Sequence, residues 1–147
     1  MKYKHTNIIA EDWKKLVTFY EQVFDCQLVP PLRNQSGEWL SKGVGLPNAS
    51  LQGAHLLLPG YGKDGPTLEI YQYGQLDVRD PANPNHTGYT HLAFEVDNVT
   101  EVLESVLQHG GSANGEITTR AVDGVGTITF IYARDPEGNL IELQHWD

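Results

Sequence analysis

Four side chains of this chain are of types that hold a divalent metal, and they recur in matched settings. His5 and His91 each open a mixed apolar run, and Glu69 and Glu142 each stand four residues after a glycine. Two neutral imidazoles and two carboxylates bring the charge around a divalent cation near zero and leave coordination positions for substrate oxygens. Such donors suit Zn²⁺, Ni²⁺, Co²⁺, Mn²⁺ or Fe²⁺ and do not choose among them. One divalent metal ion held by His5, Glu69, His91 and Glu142 is the first expectation.

The settings match because the chain repeats itself. His5-Thr6-Asn7-Ile8-Ile9-Ala10-Glu11-Asp12 lies over His91-Leu92-Ala93-Phe94-Glu95-Val96-Asp97-Asn98 without a gap. Helical spacing follows in both copies: Trp13, Leu16, Val17, Tyr20, Val23 and Phe24 in the first, Val99, Val102, Leu103, Val106 and Leu107 in the second. Asn98 with Glu101 has the form of a capping box, and His109-Gly110-Gly111 that of a helix stop. The copies close on Gly65-Pro66-Thr67-Leu68-Glu69-Ile70 and Gly138-Asn139-Leu140-Ile141-Glu142-Leu143. Side chains alternate along a strand, so Leu68 and Ile70 oppose Glu69, Ile141 and Leu143 oppose Glu142, and Leu92, Phe94 and Val96 oppose His91. The aliphatic faces must bury against the helices, which leaves both glutamates and His91 on the helix-free side.

Further strands are expected over Gln27 to Arg33, Leu51 to Leu58, Ser112 to Arg120 and Thr127 to Ala133. Each half then reads strand, helix, strand, strand, strand. Asn34 to Ser50, rich in Gly, Ser and Asn, is expected to be a long loop or lid, and Asp135-Pro136-Glu137-Gly138-Asn139 a turn. The fold class is α+β: one domain over residues 1–147, with module one about 1–74, a linker about 75–87 and module two about 88–147.

A formal charge of −9 and the scarcity of basic clusters argue against nucleic acid and anionic membranes as partners and favour a small-molecule substrate. Cys26 is the lone cysteine, so no intramolecular disulfide forms; it reads as a small buried residue. The apolar runs are short and Met1-Lys2-Tyr3 leads straight into the first strand, so a cytoplasmic protein is expected. Trp13, Phe19 and Tyr20 are expected in the helix core or a dimer contact. His55, His86, His109 and His145 lack matched partners and are expected at the surface or behind the ligands, with His55 the exception because its strand is placed to line the site.

The doubled strand–helix–three-strand unit, histidine on each opening strand, glutamate on each closing strand and the run Asp135-Pro136-Glu137-Gly138-Asn139-Leu140-Ile141-Glu142 together resemble the vicinal oxygen chelate superfamily. That group includes glyoxalase I, methylmalonyl-CoA epimerase, extradiol dioxygenases and drug-sequestering resistance proteins. The resemblance implies two tandem βαβββ modules whose curved mixed sheets form a metal-binding cup, and a homodimer. It places His5, Glu69, His91 and Glu142 at the four ligand positions of the glyoxalase I pattern. It also implies a lyase or isomerase that moves a proton next to a carbonyl of a small hydroxy- or oxo-compound through a metal-stabilised enediolate. Glu142 would be the mobile ligand and base, with Glu69 a possible second base. Thr6 to Trp13 lacks the arginine with which glyoxalase I helps hold glutathione, so the resemblance does not extend to that substrate. Two other readings stay open: an iron-dependent extradiol-type dioxygenase, with Glu69 a bystander, and a non-catalytic binding protein for a drug or metabolite. Gly37-Glu38-Trp39-Leu40, Tyr71 and Tyr73 point to a ligand with a planar or apolar part.

Overall fold

The computed structural model describes all 147 residues, in two compact units, Met1–Arg79 and Asp80–Asp147. In the first, β1 (His5–Ile9), α1 (Trp13–Phe24), β2 (Gln27–Ser36), α2 (Glu38–Val44), β3 (Ser50–Leu57) and β4 (Thr67–Tyr73) follow one another. The second has β5 (His91–Glu95), α3 (Val99–Gln108), β6 (Ser112–Val122), β7 (Gly126–Arg134) and β8 (Leu140–Trp146). Each unit folds one four-stranded mixed sheet, in the orders β1-β4-β3-β2 and β5-β8-β7-β6. The opening strand runs parallel to the closing one and the other pairs are antiparallel. This is the expected pair of α+β modules. No helix is long and apolar enough to cross a membrane.

α1 forms where its apolar spacing demands. Asp12 caps it by accepting from the Lys15 N–H at 3.1 Å, and Asp25 ends it in the left-handed conformation. Its buried face carries Trp13, Leu16, Val17, Phe19, Tyr20 and Phe24, while Val23, which the periodicity put on that face, is only partly buried. The helix packs on β3 and β4, where Leu56, Leu68 and Ile70 are fully buried. Each such side chain contributes about 1.5–3 kcal/mol by leaving water. In the second unit Asn98 accepts from the Thr100 and Glu101 N–H groups and donates from its own amide to the Glu101 carboxylate at 2.9 Å. α3 then packs on its sheet through residues that include Val99 and Val106.

One expectation is corrected. Asn34 to Ser50 is not a long loop: β2 runs on to Ser36 and α2 occupies Glu38–Val44. Leu40 is buried with Ala49 and Leu51, and Tyr71 and Tyr73 pack against that cluster. The burial of Leu40 supplies what the local composition lacks.

Cys26 lies just past α1, buried, with its thiol pushed up to about 12 by burial and by the charges of Asp25 and Glu21. We predict that iodoacetamide at about pH 8 leaves the native thiol unmodified while labelling the urea-unfolded chain, because only thiolate reacts. The sign for stability follows. An unfolded thiol ionises near its ordinary 9.0 and the folded one near 12, so the fold holds the extra proton and loses stability as pH rises between those values.

Candidate metal centre

Strand register brings each predicted histidine to its predicted glutamate by the same construction twice. β1 pairs with β4 so that His5 lies opposite Thr67, two residues before Glu69; β5 pairs with β8 so that His91 lies opposite Leu140, two residues before Glu142. Side chains two apart share a face, so a histidine and a glutamate meet diagonally across each parallel pair. His5 Nδ1 is 3.2 Å from Glu69 Oε1, and His91 Nε2 is 3.1 Å from Glu142 Oε2. Leu68, Ile70, Ile141 and Leu143 are buried on the opposite faces.

The glycine turns set where the closing strands begin. At the second, Asp135 is buried and its carboxylate accepts from the Glu137 N–H, the Asn139 N–H and the Asn139 amide. Gly138 takes the left-handed conformation there, and Arg134 donates to its carbonyl at 2.6 Å. The turn therefore starts β8 at Leu140 and fixes the register that carries Glu142.

The surroundings of the two pairs differ. Glu69 is buried, 8% exposed, although carboxylates ordinarily face water. Besides His5 it meets His55 Nε2 at 3.3 Å and the Tyr71 hydroxyl, which hydrogen-bonds to it. His55 Nε2 is also 2.5 Å from the Tyr71 hydroxyl, and Arg33 Nη2 is 3.2 Å from His55 Nδ1. Burial lowers the His55 pKa against the pull of Glu69, with Arg33 and His5 adding to the lowering. The hydrogen-bond partner at His55 Nε2 is the Tyr71 hydroxyl, and Glu69 lies beside that contact. Burial pushes the Tyr71 hydroxyl up to about 12, with the charge of Glu69 and the hydrogen bond to it adding, so Tyr71 remains a donor.

Glu142 has a lighter setting. His91 Nε2 lies against its carboxylate; Thr90 Oγ1 sits 3.1 Å from His91 Nδ1 and the Tyr132 ring centroid 4.9 Å from that of His91. Tyr132 lies opposite Glu142 in the register, as His55 lies opposite Glu69, and its pKa is raised by burial and then by the Glu142 charge.

Imidazole nitrogen beside carboxylate oxygen is a donor set that fits a divalent cation of the zinc-to-iron group. No three His, Cys, Asp or Glu side chains gather in a geometry that could hold one. Of the other histidines, His55 joins Glu69, whereas His145 is tied to the Val96 carbonyl and Asp147. Arg33 and the role of Tyr71 as donor to Glu69 were missed; their signal lay in the pairing of β2, β3 and β4 and in no local motif.

Gly53 makes room for this cluster. A Cβ there would lie 2.0 Å from the Ile70 carbonyl oxygen and 2.5 Å from the Tyr71 ring. We expect Gly53→Ala to cost about 1–3 kcal/mol as overpacking, read as a lowered urea midpoint, and to displace Tyr71 from His55. An unchanged midpoint would show that the sheet yields there at no cost.

A sequence model described as the Glyoxalase/Bleomycin resistance protein/Dioxygenase superfamily matches residues 2–143. No curated protein matches the chain. Among solved structures, a glyoxalase family protein of Bacillus cereus is similar with a TM-score of 0.77 at 22% identity, over 99% of this chain and 93% of that one. A variant of glyoxalase I from Zea mays gives 0.65 at 23%, over 97% of this chain and 44% of that one. A variant of the fosfomycin resistance protein FosX of Listeria monocytogenes, complexed with Mn(II) and 1S,2S-dihydroxypropylphosphonic acid, gives 0.58 at 18%, over 97% and 90%. At such identities the structural likeness is one of fold, and the match over residues 2–143 is one of family. With its doubled module and paired histidines and glutamates, the chain belongs to the glyoxalase/bleomycin resistance protein/dioxygenase superfamily.

Proposed function

We propose that the protein is a metal-dependent lyase or isomerase that moves a proton next to a carbonyl of a small hydroxy- or oxo-substrate, with His5, Glu69, His91 and Glu142 as ligands of one divalent ion. The observation that carries this reading is the repeated pair, His5 with Glu69 and His91 with Glu142, built at equivalent positions of two duplicated sheets. A divalent ion held there supplies positive charge that acidifies a carbon–hydrogen bond beside a carbonyl.

The residues divide the remaining work by how firmly they are held. Glu69 accepts from the Tyr71 hydroxyl and lies against both His5 and His55, so moving it would break several contacts. Glu142 has one imidazole neighbour and is freer to swing. Glu142 therefore takes the proton at a carboxylate oxygen and returns it to the neighbouring carbon, while Glu69 stays as a fixed anionic ligand.

The test is elemental analysis of protein purified without chelator, followed by a screen of small 2-hydroxy and 2-oxo compounds for exchange of the carbon-bound proton with deuterium oxide. Metal near one ion per chain, with exchange dependent on it, supports the reading; no retained metal and no exchange with any added divalent ion overturns it. The dioxygenase alternative makes Glu69 a bystander, which its burial among donors disfavours. Anaerobic loading with Fe²⁺ and then catechols should accordingly give no oxygen uptake.

A further inference from the structure

We infer that Arg33 is a positioning residue: through His55 it sets a one-way run of hydrogen bonds that ends on Glu69, keeping His55 out of the ligand set and Glu69 in place. The part concerning ligands rests on the function proposed above; the state of His55 does not.

A guanidinium has five N–H donors and no acceptor. Arg33 Nη2, 3.2 Å from His55 Nδ1, therefore donates, and Nδ1 must hold the lone pair. With Nδ1 bare, the one proton the ring carries is on Nε2. That atom has two acceptors within reach, the Tyr71 hydroxyl oxygen at 2.5 Å and Glu69 Oε1 at 3.3 Å. Tyr71, accepting from His55, passes its own proton-bearing bond to Glu69. Each link points the same way, from a permanent cation to a carboxylate. The reverse tautomer would face one N–H with another across the Arg33–His55 contact.

The consequence is chemical. Bare, Nε2 of His55 would be a third imidazole donor beside Glu69; protonated, it is no metal ligand at all. Arg33 is itself aimed, because its Nη1 donates to the Pro31 carbonyl within the irregular stretch where β2 shifts register between Val29 and Arg33. The second unit repeats the irregularity between Asn114 and Thr118 but has Thr118 at the place of Arg33 and Tyr132 at that of His55. The device belongs to the Glu69 side alone.

Imidazole ¹⁵N–¹H correlation spectra of the metal-free protein, with His55 assigned through His55→Gln, test the first part. Expected is a lone-pair nitrogen at Nδ1 and a protonated Nε2 in the wild type, and a mixture of tautomers in Arg33→Met. A protonated Nδ1 in the wild type overturns the inference, as does an unchanged tautomer in Arg33→Met, which would leave Arg33 free for another task such as gripping an anionic substrate. Titration with Co²⁺ tests the second part. His55→Gln, whose amide can still donate, should keep Co²⁺ affinity within about threefold and the same visible spectrum; His55→Leu should weaken it about tenfold or more. A spectrum altered by loss of an imidazole in His55→Gln would make His55 a ligand and overturn the inference. If Glu69→Gln leaves Co²⁺ binding untouched, the ligand reading of Glu69 falls, while the tautomer spectra still decide the Arg33–His55 link.

Discussion

Glu142→Gln is expected to retain most of the bound metal and to lose about 10²–10⁴-fold in turnover, the span that a positioned general base contributes. The amide keeps an oxygen of nearly the same position and size, so the chain still offers a donor beside His91 Nε2, 3.1 Å from the native carboxylate. What it loses is the capacity to accept a proton. The matching change on the other unit, Glu69→Gln, should behave differently. There the carboxylate is buried, receives a hydrogen bond from Tyr71 and lies beside His55, so removing its charge weakens the hold on a cation while sparing much of the turnover of whatever metal remains. Turnover per bound metal, from activity and metal content of the same sample, separates the two. If both variants lose metal and turnover in equal proportion, neither glutamate is a dedicated base.

Much of this was legible because the duplicated strands obey a strict alternation. Leu68 and Ile70 around Glu69, and Ile141 and Leu143 around Glu142, leave the carboxylates only the face away from the helix, and the structure buries those four aliphatics as required. α2 was illegible for the opposite reason. Gly43 disfavours a helix locally, the capping glycines Gly37 and Gly45 bound it at only 7 residues, and Leu40 is its one buried residue, so its stability comes from Ala49, Leu51 and the tyrosines of β4. Arg33 escaped notice because its partner His55 is 22 residues away and belongs to another strand. Only the register, which sets Arg33 opposite Gly53 and His55 opposite Glu69, brings cation, imidazole and carboxylate together.

His91→Ala should lose both metal and turnover, and more metal affinity than the roughly 10–100-fold that follows when a ligand merely loses its hydrogen-bond partner. The distinction can be drawn within this pair. Thr90 Oγ1 sits 3.1 Å from His91 Nδ1 and leaves Nε2 toward Glu142, so Thr90→Val tests orientation alone and should fall inside that 10–100-fold range. His145→Ala is the control, since that ring is occupied by the Val96 carbonyl and Asp147 and should affect neither property. Circular dichroism guards against a folding artefact: His91 is partly exposed on β5, away from the buried Ile141 and Leu143, and its truncation opens no core cavity. Metal content and turnover in His91→Ala equal to those of the parent would show the His91–Glu142 contact to be an ordinary cross-strand pair, and the duplicated histidine would then be a feature of the sheet instead of the chemistry.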